Sequence, residues 1–187
     1  MNRREAISSV ALLLGGTILG AEAFLSGCKS STGTAVSFSP SDVSFLDEVA
    51  ETILPATGTP GAKAAKVGEF MTVIVKDCYE EKDQKVFMEG LAKLDAASKT
   101  KNSKSFMEST PLQRHDLLVD LDAEAKAYQK SKKKDDPNHY FRMMKELTLW
   151  GYFTSEIGAT QALRYVAVPG KYEGCIDYKK GDKAWAT

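Results

Sequence analysis

Apolar residues recur every three or four positions along most of the chain after residue 39, and this spacing restricts the fold to packed helices. Residues 39–42 combine a capping serine, a proline suited to a first turn and an early aspartate, so a helix should begin there. Its apolar stripe continues until Pro55. Thr110 and Gln113 form a capping-box pattern that begins a second helix. The sequence predicts an all-α globular domain of five or six helices.

The same spacing predicts three further helices, over residues 62–79, over residues 83–97, and from near Pro137 onward. The first contains a β-branched run compatible with a strand, but its length and flanks favour a helix. The last carries more apolar residues than one buried stripe needs, and we assign the excess to core packing. These residues are Met143, Met144, Trp150, Tyr152 and Phe153. Beyond Leu163 the pattern dissolves, which predicts an irregular C-terminal extension that is ordered by docking, with Trp185 among its contacts.

The first 28 residues are typical of an export signal that ends in a lipidation site. Arg3 and Arg4 precede an apolar run, and small residues lead to Cys28. The run is too short for a stable membrane span. We predict a twin-arginine lipoprotein signal over residues 1–27, a flexible tether over 28–38 and one helical domain over 39–187. The protein would be exported and lipid-anchored through Cys28 at the periplasmic side of the cell envelope.

Charge and cysteine content limit the possible partners. The 25 basic residues balance 25 acidic ones, so no general attraction for nucleic acid is expected. Cys78 and Cys175 remain after lipidation of the third cysteine. Since exported thiols can be oxidised, a disulfide between these two residues is one hypothesis, and two unrelated buried thiols are the other.

The sequence offers no pattern for a redox cofactor, a metal or a catalytic triad. It lacks a glycine-rich dinucleotide motif after a strand and a haem-attachment motif. Neither His115 nor His139 has a second ligand at helical spacing. Thr154, Ser155 and Glu156 have no partnered histidine, so capping or packing explains them better than hydrolysis. We expect no enzyme activity, cofactor or metal in this chain on its own.

Three stretches resemble the gluconate 2-dehydrogenase subunit 3 family, the small component of membrane-associated flavoprotein dehydrogenase complexes. They are ILPATGTPGA at residues 53–62, GYFTSEIG at 151–158 and PGKYEGC at 169–175. The resemblance implies a non-catalytic subunit that accompanies a large dehydrogenase subunit carrying FAD, with a cytochrome c subunit and its haem as a further partner. It also implies a role in the export, assembly or anchoring of the flavoprotein. A free-standing envelope lipoprotein with a binding or structural role is the alternative.

If the resemblance holds, two groups of residues are candidates for the partner surface. The loop after the first helix contributes Pro55, Thr57 and Pro60, and the aromatic candidates are Tyr152, Phe153 and Tyr172. Aromatic side chains often anchor protein interfaces. Burial of the same residues inside the fold is the competing interpretation, and the sequence alone leaves both open.

Overall fold

The computed structural model describes residues 36–168, 170–171 and 173–186. Arg3, Arg4, Cys28 and Tyr172 lie outside the described residues, as does most of the proposed signal and tether. The described part contains five α-helices and one π-helical turn, in agreement with the all-α prediction. They are α1 (Pro40–Ile53), α2 (Val67–Cys78), α3 (Glu81–Asn102), α4 (Pro111–Ser131), α5 (Tyr140–Thr154) and the π-helical turn (Gly158–Ala162).

Two helices begin where local capping chemistry predicted. At α1, the Ser39 side chain accepts from the Asp42 backbone N–H, and the Asp42 carboxylate accepts from the Ser39 N–H at 2.8 Å. At α4, Thr110 and Gln113 form the same reciprocal pair. Each box satisfies amides that have no partner within the helix. Both starts are therefore confirmed.

The boundaries of α2 and α3 differ from the predicted ones because tertiary contacts decide them. Helix α2 starts five residues later than predicted, after Lys66, whose φ of 54° places it in the left-handed region. The carboxylate of Asp47 on α1 accepts from the Gly68 N–H at 2.8 Å and so caps α2 from outside. Helix α3 runs past Ala97 to Asn102, and it ends where Ser103 adopts a φ of 55°.

Helix α5 is the central helix of the domain, since it packs against α1, α2, α3 and α4. Its buried residues outnumber those of any other described helix, and they include Phe141, Met143, Met144 and Leu147. Thr148 lies in the same core and donates its hydroxyl hydrogen to the Met144 carbonyl at 2.8 Å. The prediction that Met143 and Met144 are core residues is confirmed.

The cysteine hypothesis gains no support from the structure. Cys78 at the end of α2 and Cys175 in the C-terminal extension are both exposed free thiols, so no disulfide joins them. Neither is the buried thiol of the alternative. None of the described helices has the length and apolar content needed to cross a bilayer.

Candidate functional site

The loop between α1 and α2 is held by one carboxylate of α1. Glu51 accepts from the Ala56 N–H with one oxygen and from the Lys63 N–H with the other, each at 2.9 Å. The Ala62 N–H donates to the Leu54 carbonyl at 2.9 Å, which closes the loop at its base. This motif loop, residues 54–62, is therefore an ordered structure. Pro55 and Thr57 are exposed on it, and Pro60 is half-buried.

The two glycines of the motif loop have different surroundings. A Cβ on Gly61 would lie 2.3 Å from both carboxylate oxygens of Glu51 and 2.6 Å from the Ala56 nitrogen. Gly58 has no atom within 4 Å of the same position. Close approach of the Glu51 carboxylate to the backbone therefore requires glycine at position 61, whereas position 58 faces open space.

Tyr152 joins the motif loop to α5. Its ring is buried, and its hydroxyl donates to the Pro60 carbonyl at 2.7 Å. The structure thus brings together two stretches that lie 92 positions apart in the chain. Since Tyr152 is enclosed by the fold, we assign it to positioning the loop rather than to touching a partner.

Phe153, the next candidate, is exposed, and it belongs to a surface that the sequence did not reveal. Phe70 and Val73 lie one turn apart on α2, and Trp150 and Phe153 lie one turn apart on α5. The rings of Phe70 and Trp150 meet edge to face with centroids 5.3 Å apart. Val73, Trp150 and Phe153 are exposed, and Phe70 is half-buried. We call these four residues the aromatic patch.

A glycine makes the aromatic patch continuous across the two helices. A Cβ on Gly151 would lie 2.6 Å from Cδ1 of Phe70. Only glycine at position 151 therefore lets the Phe70 ring pack directly against the backbone of α5. The sequence placed Trp150 with the core because its apolar character alone does not specify a side of the helix. The available signal was that Trp150 lies two positions before Tyr152, because residues two apart on a helix point in different directions and both cannot face the centre of the core.

The charged residues one turn away from the aromatic patch are mostly acidic. They are Lys66, Glu69, Lys76, Asp77, Glu146 and Glu156, and all six are exposed. An acidic rim is unfavourable for an anionic lipid surface, which attracts lysine and arginine instead. Exposed aromatic side chains inside a polar rim are the usual anatomy of a protein interface. The patch fits a protein partner better than a bilayer.

Of the residues considered for metal binding or catalysis, His139 and Ser155 have structural roles and His115 is exposed. His139 is buried at the start of α5, where Nδ1 accepts from the Phe141 N–H at 3.2 Å and Nε2 lies 3.5 Å from Glu124. His115 is exposed beside Asp116. Ser155 donates to the Tyr152 carbonyl at 2.6 Å and accepts from the Gly158 N–H at 3.0 Å, so it shapes the π-helical turn.

Two grooves of about 210 and 220 Å³ lie along α4 and α5 and share Asp122 and Lys145 in their walls, and the first is also lined by Thr52 and Ile53 of α1. Asp122 accepts from Lys126 and from Lys145, each at 2.6 Å. These two hydrogen bonds hold the pKa of the Asp122 carboxyl below its usual range. The charge in the grooves is therefore paired. The described residues contain no cluster of three or more histidine, cysteine, aspartate or glutamate side chains arranged for a metal ion.

The comparisons with known proteins agree with the resemblance seen in the sequence. No curated protein and no solved structure matches the chain. The family model described as "Gluconate 2-dehydrogenase subunit 3" matches residues 40–170. This match spans all five α-helices, the motif loop and the aromatic patch, and the family name implies a subunit of that dehydrogenase complex. The chain belongs to the gluconate 2-dehydrogenase subunit 3 family.

Proposed function

We propose that this chain is a non-catalytic accessory subunit that binds the large flavoprotein subunit of a membrane-associated dehydrogenase complex and supports its export, assembly or anchoring. Membership of a subunit family supports the existence of a partner. The observation that carries the proposal is the aromatic patch, which exposes Val73, Trp150 and Phe153 beside the ordered motif loop. Exposed tryptophan and phenylalanine on a rigid helix pair are costly in water and are typical anchors of a partner.

On this proposal the redox cofactors belong to the partners. The large subunit holds FAD, and where a cytochrome c subunit is present it holds haem. The absence of dinucleotide and haem-attachment motifs from the sequence agrees with this division. The substrate of the complex is then determined by the large subunit's own pocket.

The proposed export and anchoring roles rest on the N-terminal sequence. Arg3 and Arg4 would direct the chain, with its folded partner, to the twin-arginine route, and acylated Cys28 would hold the complex on the membrane at the periplasmic side. Replacing both arginines by lysine should leave the flavoprotein in the cytoplasm. Cys28→Ser should export the complex but release it from the membrane fraction. Normal export of the flavoprotein in a strain that lacks this chain would contradict the escort role.

The interface can be tested by co-expressing the tagged chain with the large subunit and measuring bound flavin by absorbance after purification. Trp150→Asp should lower the flavin recovered per chain by about tenfold, as expected for a residue near the centre of an interface. Val119→Asp is a matched control, because Val119 on α4 is 53% exposed and Trp150 is 51% exposed. Equal loss in both variants would contradict a specific role of the aromatic patch, and recovery of a colourless monomer from the wild type would favour the free-standing lipoprotein.

A further inference from the structure

The C-terminal extension folds back on itself into a closed loop. The Arg164 N–H donates to the Ala184 carbonyl at 2.8 Å, and the Ala186 N–H donates to the Arg164 carbonyl at 3.0 Å. The Arg164 guanidinium carbon lies 3.7 Å from the centroid of the Trp185 ring. These contacts join the two ends of residues 164–186, which we call the C-terminal loop. Trp185 therefore packs on Arg164 at the start of the same extension and is 49% exposed, so its predicted docking on the helical domain stays a prediction.

The described parts of the C-terminal loop expose an unusual amount of apolar side chain. Six large hydrophobic residues of the loop are exposed, and they are Tyr165, Val166, Val168, Ile176, Tyr178 and Trp185. With roughly 150–250 Å² for a whole aromatic side chain, the exposed fractions of Tyr165, Tyr178 and Trp185 alone amount to on the order of 300 Å². A stable protein interface needs about 800 Å² from each partner. The three aromatic residues would therefore supply roughly a third of one side of an interface, and Val166, Val168 and Ile176 add to it.

The charges of the C-terminal loop favour a protein over a bilayer as the occupant. Three acidic residues, Glu173, Asp177 and Asp182, lie among its five basic residues, so no more than two basic residues are adjacent in the sequence. Lys171 pairs with Glu173 at 2.6 Å, and the Asp182 carboxylate accepts from the Lys179 N–H at 2.9 Å. Segments that bind anionic membranes instead combine clustered lysine and arginine with a separate apolar face.

Chain connectivity places the origin of the C-terminal loop close to the aromatic patch. Phe153 of the patch is followed by the π-helical turn Gly158–Ala162, and the loop begins at Arg164. Lys183 of the loop donates to the carbonyl of Gln161 in that turn, so the far end of the loop also returns to this site. A partner seated on the patch would therefore have the loop within reach.

We propose that the C-terminal loop is a second binding element that packs along the large dehydrogenase subunit and buries its exposed apolar side chains there. This inference rests on the proposed function, and it adds a contact outside the helical domain. The aromatic patch provides a preformed surface on two packed helices, whereas the described parts of the loop contain no helix and Lys183 ties them to the Gln161 carbonyl.

Limited proteolysis with trypsin of the full chain, alone and in the purified complex, tests this placement. Lys179 and Lys180 lie in the C-terminal loop, and we expect the complex to slow cleavage there by about tenfold or more. Lys133 and Lys134, in the exposed turn between α4 and α5, provide the internal control and should be cut at the same rate in both samples.

Each other occupant gives a different protection pattern. If vesicles containing anionic lipid, without the large subunit, protect Lys179 and Lys180, the loop binds membrane and the inference is wrong. Protection that grows with the concentration of the chain alone would identify a second copy and would equally overturn it. A complex that forms while these lysines are cut at the free rate refutes the loop's role but leaves the proposed function intact. If no complex forms, the proposed function fails, and the inference fails with it.

Substitutions in the C-terminal loop give an independent measurement. Val168 is 83% exposed and Tyr178 is 77% exposed, so Val168→Asp and Tyr178→Asp should leave the helical domain intact, as circular dichroism would verify. We expect each to weaken binding of the large subunit by about tenfold. Leu112→Asp is the control, since Leu112 is 70% exposed and lies in the first turn of α4, where an acid is favourable. Unchanged affinity in both loop variants would overturn the inference.

Discussion

Removing a single hydroxyl from Tyr152 should separate the stability of the motif loop from that of the helical core. In Tyr152→Phe the ring keeps its place on buried α5, but the Pro60 carbonyl loses its donor at 2.7 Å. No other described hydrogen bond joins the motif loop to α5 with good geometry, since the second contact of the hydroxyl, to Thr59, is 3.5 Å long. The substitution therefore acts on the position of the loop.

The expected loss of stability is about 1 kcal/mol. A neutral hydrogen bond contributes about 0.5–1.5 kcal/mol net, and a buried acceptor left without a donor costs about 1–3 kcal/mol. Pro60 is half-buried, so water can reach its carbonyl after a small movement of the loop, and the lower part of this range applies. For a domain of this size, a change of that magnitude lowers the melting temperature by about 2–4 °C.

Tyr128→Phe provides a closely matched control. The Tyr128 hydroxyl donates to the Pro137 carbonyl at 3.1 Å, so this substitution also removes one hydroxyl donor to a carbonyl. This hydrogen bond joins α4 to the connection between α4 and α5, away from the motif loop. Both variants should lose similar stability in thermal unfolding. Only Tyr152→Phe should speed hydrogen exchange of the Thr57 and Ala62 amides in the motif loop, and only it should weaken binding of the large subunit. Equal binding in the two variants would show that the motif loop takes no part in the interface.

The remaining predictions concern α1 and the loop beside it. Gly61→Ala should destabilise the domain by about 1–3 kcal/mol in chemical denaturation because its Cβ has no space, whereas Gly58→Ala should be neutral or slightly stabilising. Burial alone would raise the pKa of the Glu48 carboxyl, but its hydrogen bond with Lys63 and the charge of Arg114 lower this pKa overall. Its stabilising contribution is therefore present above the unfolded pKa of about 4.3 and is lost as pH falls through the lower folded pKa. Glu48→Gln should lose about 1–2 kcal/mol at pH 7 and show a weaker acid dependence, and an unchanged acid limb in urea titrations would contradict this. Burial raises the pKa of the Asp47 carboxyl. The contribution of this carboxyl to folding stability is therefore greatest below its unfolded pKa and is lost as pH rises through the higher folded pKa. Asp47→Asn should be at least as stable as the wild type at pH 7, and it should be less stable relative to the wild type in acid.

Local chemistry predicted the parts of the fold that depend on neighbouring residues. The capping boxes at Ser39 and Thr110 involve residues three positions apart, and their outcome needs no knowledge of the tertiary structure. The predicted end of α3 at Ala97 was too early because its last turn lacks apolar residues. That turn is stabilised from outside, where the buried Ser98 hydroxyl lies 3.0 Å from the Ser109 hydroxyl.

The candidate site was only partly predictable for a related reason. Tyr152 and Phe153 are adjacent aromatic residues, and the sequence cannot tell which of them faces the core. The direction is set by α2, since Phe70 packs over Gly151 and the motif loop lies over Tyr152. The same packing exposes Trp150, which the apolar pattern had placed in the core. Long-range contacts therefore determine the surface that a partner would meet.

The two proposed binding elements differ in how much order they have before a partner arrives. The aromatic patch lies on two helices that are locked together by Phe70 and Gly151, and the motif loop beside it is held by Glu51 at both ends. Little conformational entropy remains to be lost there, so binding energy at the patch is retained as affinity. The described parts of the C-terminal loop contain no helix, so we expect binding to cost them more conformational entropy and their apolar contacts to raise affinity less per unit of area. A subunit built in this way can recognise its partner through the rigid surface and then extend the buried area through the loop.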